Sequence, residues 1–345
     1  MESMPMTNAP TPHTPSARPW DDVKIFAGRN ARALGQRMCD ELGVPLGNAK
    51  THIFPDGELL VKLEDDVRGR DCYVVISTCF PVNDNIMELL IFCDSLRRAS
   101  AKRVTLVLPY YGYGRQDRKD EGRVPITAKL VANLITAARA DRVVSIDLHA
   151  PQIQGFFDLP VDHLSATPIF IDYFNSIRAE LGDICLVSPD VGNVKVAEGV
   201  ANMLGGDLAV IHKQRISGEE VQTERIIGSV EGKTVLMIDD MISTAGTVCE
   251  AAKLVHRSGA KDIIVAATHG LLVGPAVERL AAAPISRVVV TDTIPCDAGP
   301  GGRCEALAPK LVQLSVGQML GEAIRRIHND QSISALFRKV KSMKR

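Results

Sequence analysis

The chain has 345 residues, 46% of them hydrophobic and 23% charged, and a formal net charge of −1. That length suits two domains with proper cores, and the balanced charge excludes the basic footprint of a nucleic-acid binder. No apolar run approaches the roughly 20 residues of a membrane span, so no membrane partner is expected.

Residues 1–19, rich in Pro, Thr and Ser, lack the apolar segment of a signal peptide. With residue 20 they read as a disordered tail. A strand at 23–28 leads to a helix carrying Ala31, Leu34, Met38 and Leu42 at helical spacing and stopped by Gly43. Residues 51–54 and 59–63 form a hairpin around Pro55-Asp56-Gly57-Glu58. A buried strand at 72–78 precedes a long helix capped by Asp84 and running to Arg98. The strand at 104–109 opens into a loop, Tyr110 to Lys119, holding a dense knot of aromatics in a chain with 4% aromatic residues. Its Gly-Tyr-Gly lacks the third glycine of a dinucleotide fingerprint. Tyr, Gly and paired Arg/Lys suit a cationic loop for a polyphosphate, or an ordinary solvated loop. A helix follows at 125–139, then a strand at 143–148 ending in Asp147-Leu148-His149, and residues 156–162 lead to a helix at 168–174.

The alternation then starts over. A strand at 184–188 ends in Pro189-Asp190-Val191-Gly192; a helix at 194–204 and a strand at 208–211 follow. His212-Lys213-Gln214-Arg215 and the polar residues 216–224 form a flap. The apolar run 235–238 is a buried strand ending on Asp239 and Asp240, followed by Ser243-Thr244-Ala245-Gly246-Thr247 and a helix stopped by Gly259. Further strands fall at 263–268 and 288–291 and a helix at 317–328; residues 338–345 are a basic tail. The eight cysteines include no C-x-x-C pair. They read as reduced thiols packed in cores, in a reducing, cytoplasmic setting.

Strands alternating with helices predict an α/β fold with central parallel sheets, in two successive domains at 21–166 and 167–337. Polar loops gather at strand C-termini at 110–124, 147–152, 189–192, 212–224 and 239–247, where open α/β sheets bind ligands. Among them, small residues at 243–247 let backbone N–H groups approach a phosphate at a helix N-terminus. Asp239 and Asp240 suit the vicinal hydroxyls of a sugar, or a divalent metal. His149 suits metal, phosphate or a structural role, and Asp190 a ligand or a helix cap. Lys213 and Arg215, two apart, point the same way on an extended chain and suit the charge of phosphoryl transfer.

The loop at 239–247 resembles the ribose-phosphate loop of the type I phosphoribosyltransferase fold. The resemblance widens with Phe-Pro-Asp-Gly-Glu at 54–58, Pro-Tyr-Tyr-Gly-Tyr-Gly-Arg-Gln-Asp-Arg-Lys at 109–119, Pro-Ile-Thr-Ala-Lys at 125–129, Asp-Leu-His-Ala-Pro-Gln-Ile-Gln-Gly-Phe-Phe at 147–157 and Ser-Pro-Asp-Val-Gly at 188–192. Over about residues 23–337 the chain resembles the ribose-phosphate pyrophosphokinases, the class I phosphoribosyl pyrophosphate synthetases. That resemblance implies two tandem phosphoribosyltransferase-like domains and pyrophosphoryl transfer from MgATP to ribose 5-phosphate. It implies ATP binding by Phe54, Asp56, Gly57, Glu58, Arg115 and Gln116, and Mg2+ contacts from His149 and Asp190. Catalysis falls to Lys213 and Arg215, and ribose 5-phosphate binding to Arg215, Asp239, Asp240, Ser243, Thr244, Ala245, Gly246 and Thr247. It also implies a homo-hexamer built from dimers, with ATP sites at subunit borders.

Three positions depart from the family pattern: Ser243 where an acidic residue is usual, Lys-Gln-Arg for Lys-Arg-Arg on the flap, and Asn193 for a second glycine. Asp120 and Glu121 also make the region after Lys119 more acidic than usual. A phosphoribosyltransferase would share the 233–258 unit but would not need the motifs at 54–58 and 109–119. A non-enzymatic subunit would be expected to lose the flap cations or the metal contacts, and here all four residues are present.

Overall fold

The computed structural model describes Trp20, residues 22–189, 194–216, 221–334 and Leu336, with side chains except at 213–216 and 221–224. The basic tail, all of the N-terminal tail but Trp20, Asp190 and the centre of the flap lie outside the described residues.

The N-terminal half contains β1 (Val23–Ala27), α1 (Arg32–Leu42), β2 (Ala49–Ile53), β3 (Leu59–Leu63), β4 (Asp71–Val75), α2 (Val82–Arg98), β5 (Arg103–Leu108), α3 (Thr127–Ala137), β6 (Arg142–Ile146) and β7 (Val161–Leu164). Five strands form one parallel sheet in the order β1-β4-β5-β6-β7. All five residues of β4 are buried, as expected for a strand covered on both faces. Gly43 ends α1 in the left-handed region at φ 68°, its N–H turned back to Asp40 and Cys39 carbonyls. β2 and β3 stand apart as an antiparallel pair. Asp84 lies in the first turn of α2 and Pro81 takes the cap position, so its carboxylate favours the helix dipole rather than capping. The connection expected at 156–162 gives way to β7 on the sheet edge, too short for a periodicity to declare it.

The C-terminal half continues with α4 (Thr167–Ser176), α5 (Arg178–Leu181), β8 (Ile184–Ser188), α6 (Val194–Leu204), β9 (Asp207–Ile216), β10 (Val221–Ile227), β11 (Thr234–Ile242), α7 (Gly246–Arg257), β12 (Asp262–Gly270), α8 (Ala276–Ala282), β13 (Arg287–Thr291), β14 (Leu311–Leu314) and α9 (Gly317–His328). Seven strands align in the order β10-β9-β8-β11-β12-β13-β14, all parallel except the β9–β10 hairpin on the edge. The expected flap is thus rooted in strand: Lys213 pairs with Glu224 and Arg215 with Gln222 along the backbone. β11 does not stop at the carboxylates. It runs on to Ile242 because β12 extends beside it, pairing His269 with Met241 and Gly270 with Ile242.

One apolar core spans both halves, joining Ile25, Leu34 and Met38 to Phe170, Leu186, Leu320 and Ile324. Through it α9 returns to lie on α1. Gly317 and Gly321 permit the approach, since a Cβ on them would meet Arg37 Cβ at 2.7 Å and Glu41 Cγ at 2.9 Å. No helix among the described residues is long and apolar enough to cross a membrane. The thiol reading needs one correction. Cys296 and Cys304 are joined as a disulfide, their Cα atoms 6.3 Å apart, because the Gly-Pro-Gly-Gly loop between them doubles back with Cys304 N–H donating to Asp297 O. The other six cysteines are free and buried.

Candidate active site

Past the end of β11 the chain turns through Ser243 and Thr244 to Ala245, which sits in the left-handed region at φ 59° and starts α7 without a side-chain cap. The first N–H groups of α7 are therefore not taken by a capping side chain, which is the setting for an anion. The turn is tied from behind. Leu272 N–H donates to Ile242 O at 3.0 Å, Val273 N–H to Ser243 O at 3.0 Å and the Arg279 guanidinium to Thr244 O at 3.1 Å. A cleft of about 410 Å³ opens here, lined by residues 237–248 with Arg115, His149 and Pro189.

His149 arrives from the other sheet. The turn after β6 passes through Asp147 at φ 37°, a backbone state that Asp tolerates better than most residues. The Asp147 Oδ2 accepts Ala166 N–H at 3.0 Å and Thr268 Oγ1–H at 2.7 Å. Leu148 N–H donates to His163 Nε2 at 2.9 Å. The His149 Nδ1 then lies 2.6 Å from Asp240 Oδ2, bridging the two halves. That hydrogen bond raises the His149 pKa above the ordinary imidazole value. Burial works against the Asp240 carboxylate, but the hydrogen bond and charge of His149 outweigh it and hold its pKa low. Behind them His269 is fully enclosed, and burial pushes its pKa down, so the ring is neutral. Its Nε2 faces the Asp147 carbonyl at 3.1 Å and its Nδ1 faces Thr293 Oγ1 at 3.0 Å.

The fold thus gathers Arg115, His149, Asp239, Asp240, Ser243, Thr244, Ala245, Gly246 and Thr247 around one cleft. The residues Phe54, Asp56, Gly57 and Glu58 are not among its walls; they form the exposed tip of the β2–β3 hairpin, where Phe54 packs edge-on against His52. Gln116 also faces elsewhere, accepting Thr127 Oγ1–H at 2.5 Å at the start of α3. Lys213 and Arg215 are placed by backbone alone, on β9, and Asp190 lies just past Pro189, outside the described residues. Sequence reasoning missed Thr268, His269 and Arg279; the one hint was a Thr-His pair after the apolar run of β12.

Among the described residues no three His, Cys, Asp or Glu side chains converge as a metal cage. The carboxylates of Asp239 and Asp240 at the cleft nonetheless fit a cation of the magnesium kind, which binds through one or two carboxylates and keeps phosphate oxygens and water. In the neutral His149 tautomer with Nδ1–H on Asp240, Nε2 keeps its lone pair, as in a carboxylate–histidine–metal arrangement.

Comparison with known proteins follows the same lines. Residues 23–138 match the model described as the N-terminal domain of ribose phosphate pyrophosphokinase, and residues 219–338 match the phosphoribosyl synthetase-associated domain. A ribose-phosphate pyrophosphokinase of Rhodopirellula baltica is 57% identical over 318 residues, covering 92% of this chain and 99% of the relative. The Bacillus subtilis ribose-phosphate pyrophosphokinase is 47% identical over 316 residues, covering 92% and 97%. The crystal structure of phosphoribosylpyrophosphate synthetase from Mycobacterium smegmatis superposes with a TM-score of 0.82 at 44% identity, covering 90% of this chain and 99% of that one.

Proposed function

Because the chain belongs to the ribose-phosphate pyrophosphokinase family and is an enzyme of that class, we propose that it transfers the pyrophosphoryl group of MgATP to the 1-hydroxyl of ribose 5-phosphate. The hydroxyl oxygen attacks the β-phosphorus and releases its proton to water, the bond to the α-phosphate oxygen breaks, and AMP leaves with its electron pair. The observation that carries this reading is the 2.6 Å contact between His149 and Asp240. It sets a candidate metal contact from one sheet against the sugar-phosphate loop of the other.

In this reading Ser243 to Thr247 and the N-terminus of α7 hold the 5-phosphate through backbone N–H groups. Asp239 and Asp240 accept hydrogen bonds from the ribose hydroxyls. Arg115 and Gln116 bind ATP together with the hairpin tip at 54–58. That tip stands off this cleft, and a hexamer built from dimers, with each ATP site at a subunit border, would bring it from a neighbouring subunit. Lys213 and Arg215 close over the triphosphate and offset charge on the transferring group. Magnesium bound at His149 and Asp190 would supply charge neutralisation at the phosphate oxygens. The division at about residue 166 assigns the His149 loop to one domain and the sugar-phosphate loop to the other, in a cytoplasmic enzyme.

The test is one assay in two arms. With Mg2+, ATP and ribose 5-phosphate the protein forms AMP, run with and without inorganic phosphate. With a purine base and phosphoribosyl pyrophosphate it releases no pyrophosphate. Pyrophosphate release without AMP formation overturns the reading in favour of a phosphoribosyltransferase.

A further inference from the structure

We infer that Thr268, on β12 of the C-terminal half, is a positioning residue for His149: its hydroxyl holds the Asp147 turn, and so the His149 imidazole, in register with the sugar-phosphate loop. The inference rests on the proposed role of His149. Thr268 belongs to no binding motif in the sequence and does not line the cleft. It is 3% exposed, and its Oγ1 donates to Asp147 Oδ2 at 2.7 Å across 121 positions of sequence.

The turn it grips needs gripping. Asp147 holds φ at 37°, a conformation a non-glycine residue keeps when its surroundings over-determine it. Two of its restraints come from its own half: Asp147 N–H to Leu164 O at 2.9 Å and Ala166 N–H to Asp147 Oδ2 at 3.0 Å. The other two come from β12, from Thr268 Oγ1 to the carboxylate and from His269 Nε2 to the carbonyl at 3.1 Å. β12 is also the strand that carries β11 past its carboxylates, with Ala267 beside Asp239 and His269 beside Met241. One strand therefore fixes the sugar-binding carboxylates on one side and the His149 turn on another. A hydroxyl in that place stands one step behind the direct partner of His149: Asp240 bonds the ring, and Thr268 fixes the turn that delivers it.

The test replaces Thr268 with Val, which matches its shape without the donor, and with Ser, which keeps the donor. Loss of a group bonded directly to a metal contact costs about 10- to 100-fold in metal affinity or activity; Thr268 acts through Asp147, one step further out, so the expected loss is at or below the low end, about 3- to 10-fold. Thr268→Val is expected to lower kcat in that range while KM for ribose 5-phosphate stays within a small factor. Mn2+ binding to the protein without substrates, followed by electron paramagnetic resonance, weakens in parallel, and Thr268→Ser restores both. If Val at 268 prevents folding, Thr268→Ala carries the same expectation. A kcat and Mn2+ affinity near wild type in the donor-less variants, or a Ser variant as impaired as Val, overturns the inference. Failure of the wild type to form AMP overturns instead the reading of function, and the Mn2+ arm still decides on Thr268.

Discussion

Replacing Asp71 by Ala should cost the protein about 3 kcal/mol of stability, because this carboxylate ties α9 to the first sheet. Asp71 is 4% exposed at the start of β4. Its Oδ1 accepts Arg103 Nε at 2.8 Å, and its Oδ2 accepts Tyr73 OH at 2.9 Å, His328 Nδ1 at 2.8 Å and a second Arg103 nitrogen. Removing one partner of a buried charged network costs about 3–5 kcal/mol, since the remaining donors stay buried without an acceptor. The lower end applies here because the Arg103 side chain keeps 28% exposure and can reach water. Asp71→Asn keeps one acceptor but turns an amide NH2 toward the remaining donors, and should cost nearly as much. In a chain of 345 residues 3 kcal/mol corresponds to a fall of roughly 4 °C in the unfolding midpoint, measured by calorimetry at one protein concentration.

The pH dependence has a definite sign. Burial raises the Asp71 pKa, but the hydrogen bonds from Arg103 and His328 outweigh it and the net shift is downward. A carboxylate with a depressed folded pKa contributes above its unfolded value of about 3.9 and loses that contribution as pH falls through the folded value. Wild type should therefore lose stability below about pH 4 more steeply than Asp71→Asn. An Asp71→Ala midpoint within about 1 °C of wild type, or an acid limb unchanged in Asp71→Asn, would refute the argument.

Three further outcomes are expected. Lys213→Ala should lower turnover by about two to three decades while ATP still binds by calorimetry, as for loss of one transition-state charge partner; turnover within a few-fold of wild type removes it from the mechanism. Gly112→Ala would push a Cβ onto the Thr78 carbonyl, where Gly112 N–H donates to Thr78 Oγ1 at 2.6 Å. It should cost about 1–3 kcal/mol and loosen the loop leading to Arg115, read as a raised KM for ATP; unchanged melting and KM would count against this. Gly317→Leu should drive α9 off α1, since even a Cβ there meets Arg37 Cβ at 2.7 Å. The cost is about 1–3 kcal/mol, seen as faster hydrogen exchange in α9, and protected α9 amides would contradict it.

The parts of the fold visible in the sequence share one property: their signal is local. Ile184–Ser188, Val194–Leu204 and Gly317–His328 have the bounds expected of them, because an apolar run or an apolar stripe closes within one element. The edges escaped. β7 and β14 are four residues each, β10 is polar, and each is a strand because a neighbour offers hydrogen bonds. The carboxylates at 239–240 were expected to terminate a strand and instead lie within it, for the same reason.

The sequence by itself determined the alternating α/β order and the five polar loops expected at strand ends. It also supplied the motifs that mark the family, since periodicity, turn residues and residue types are properties of short stretches. Only the tertiary structure decided that His149 meets Asp240, that Thr268 grips Asp147, that Asp71 holds His328 and that Cys296 finds Cys304. The first three contacts join residues 91, 121 and 257 positions apart. Such pairs depend on how two sheets are packed by one shared core, and no local pattern encodes the distance between them.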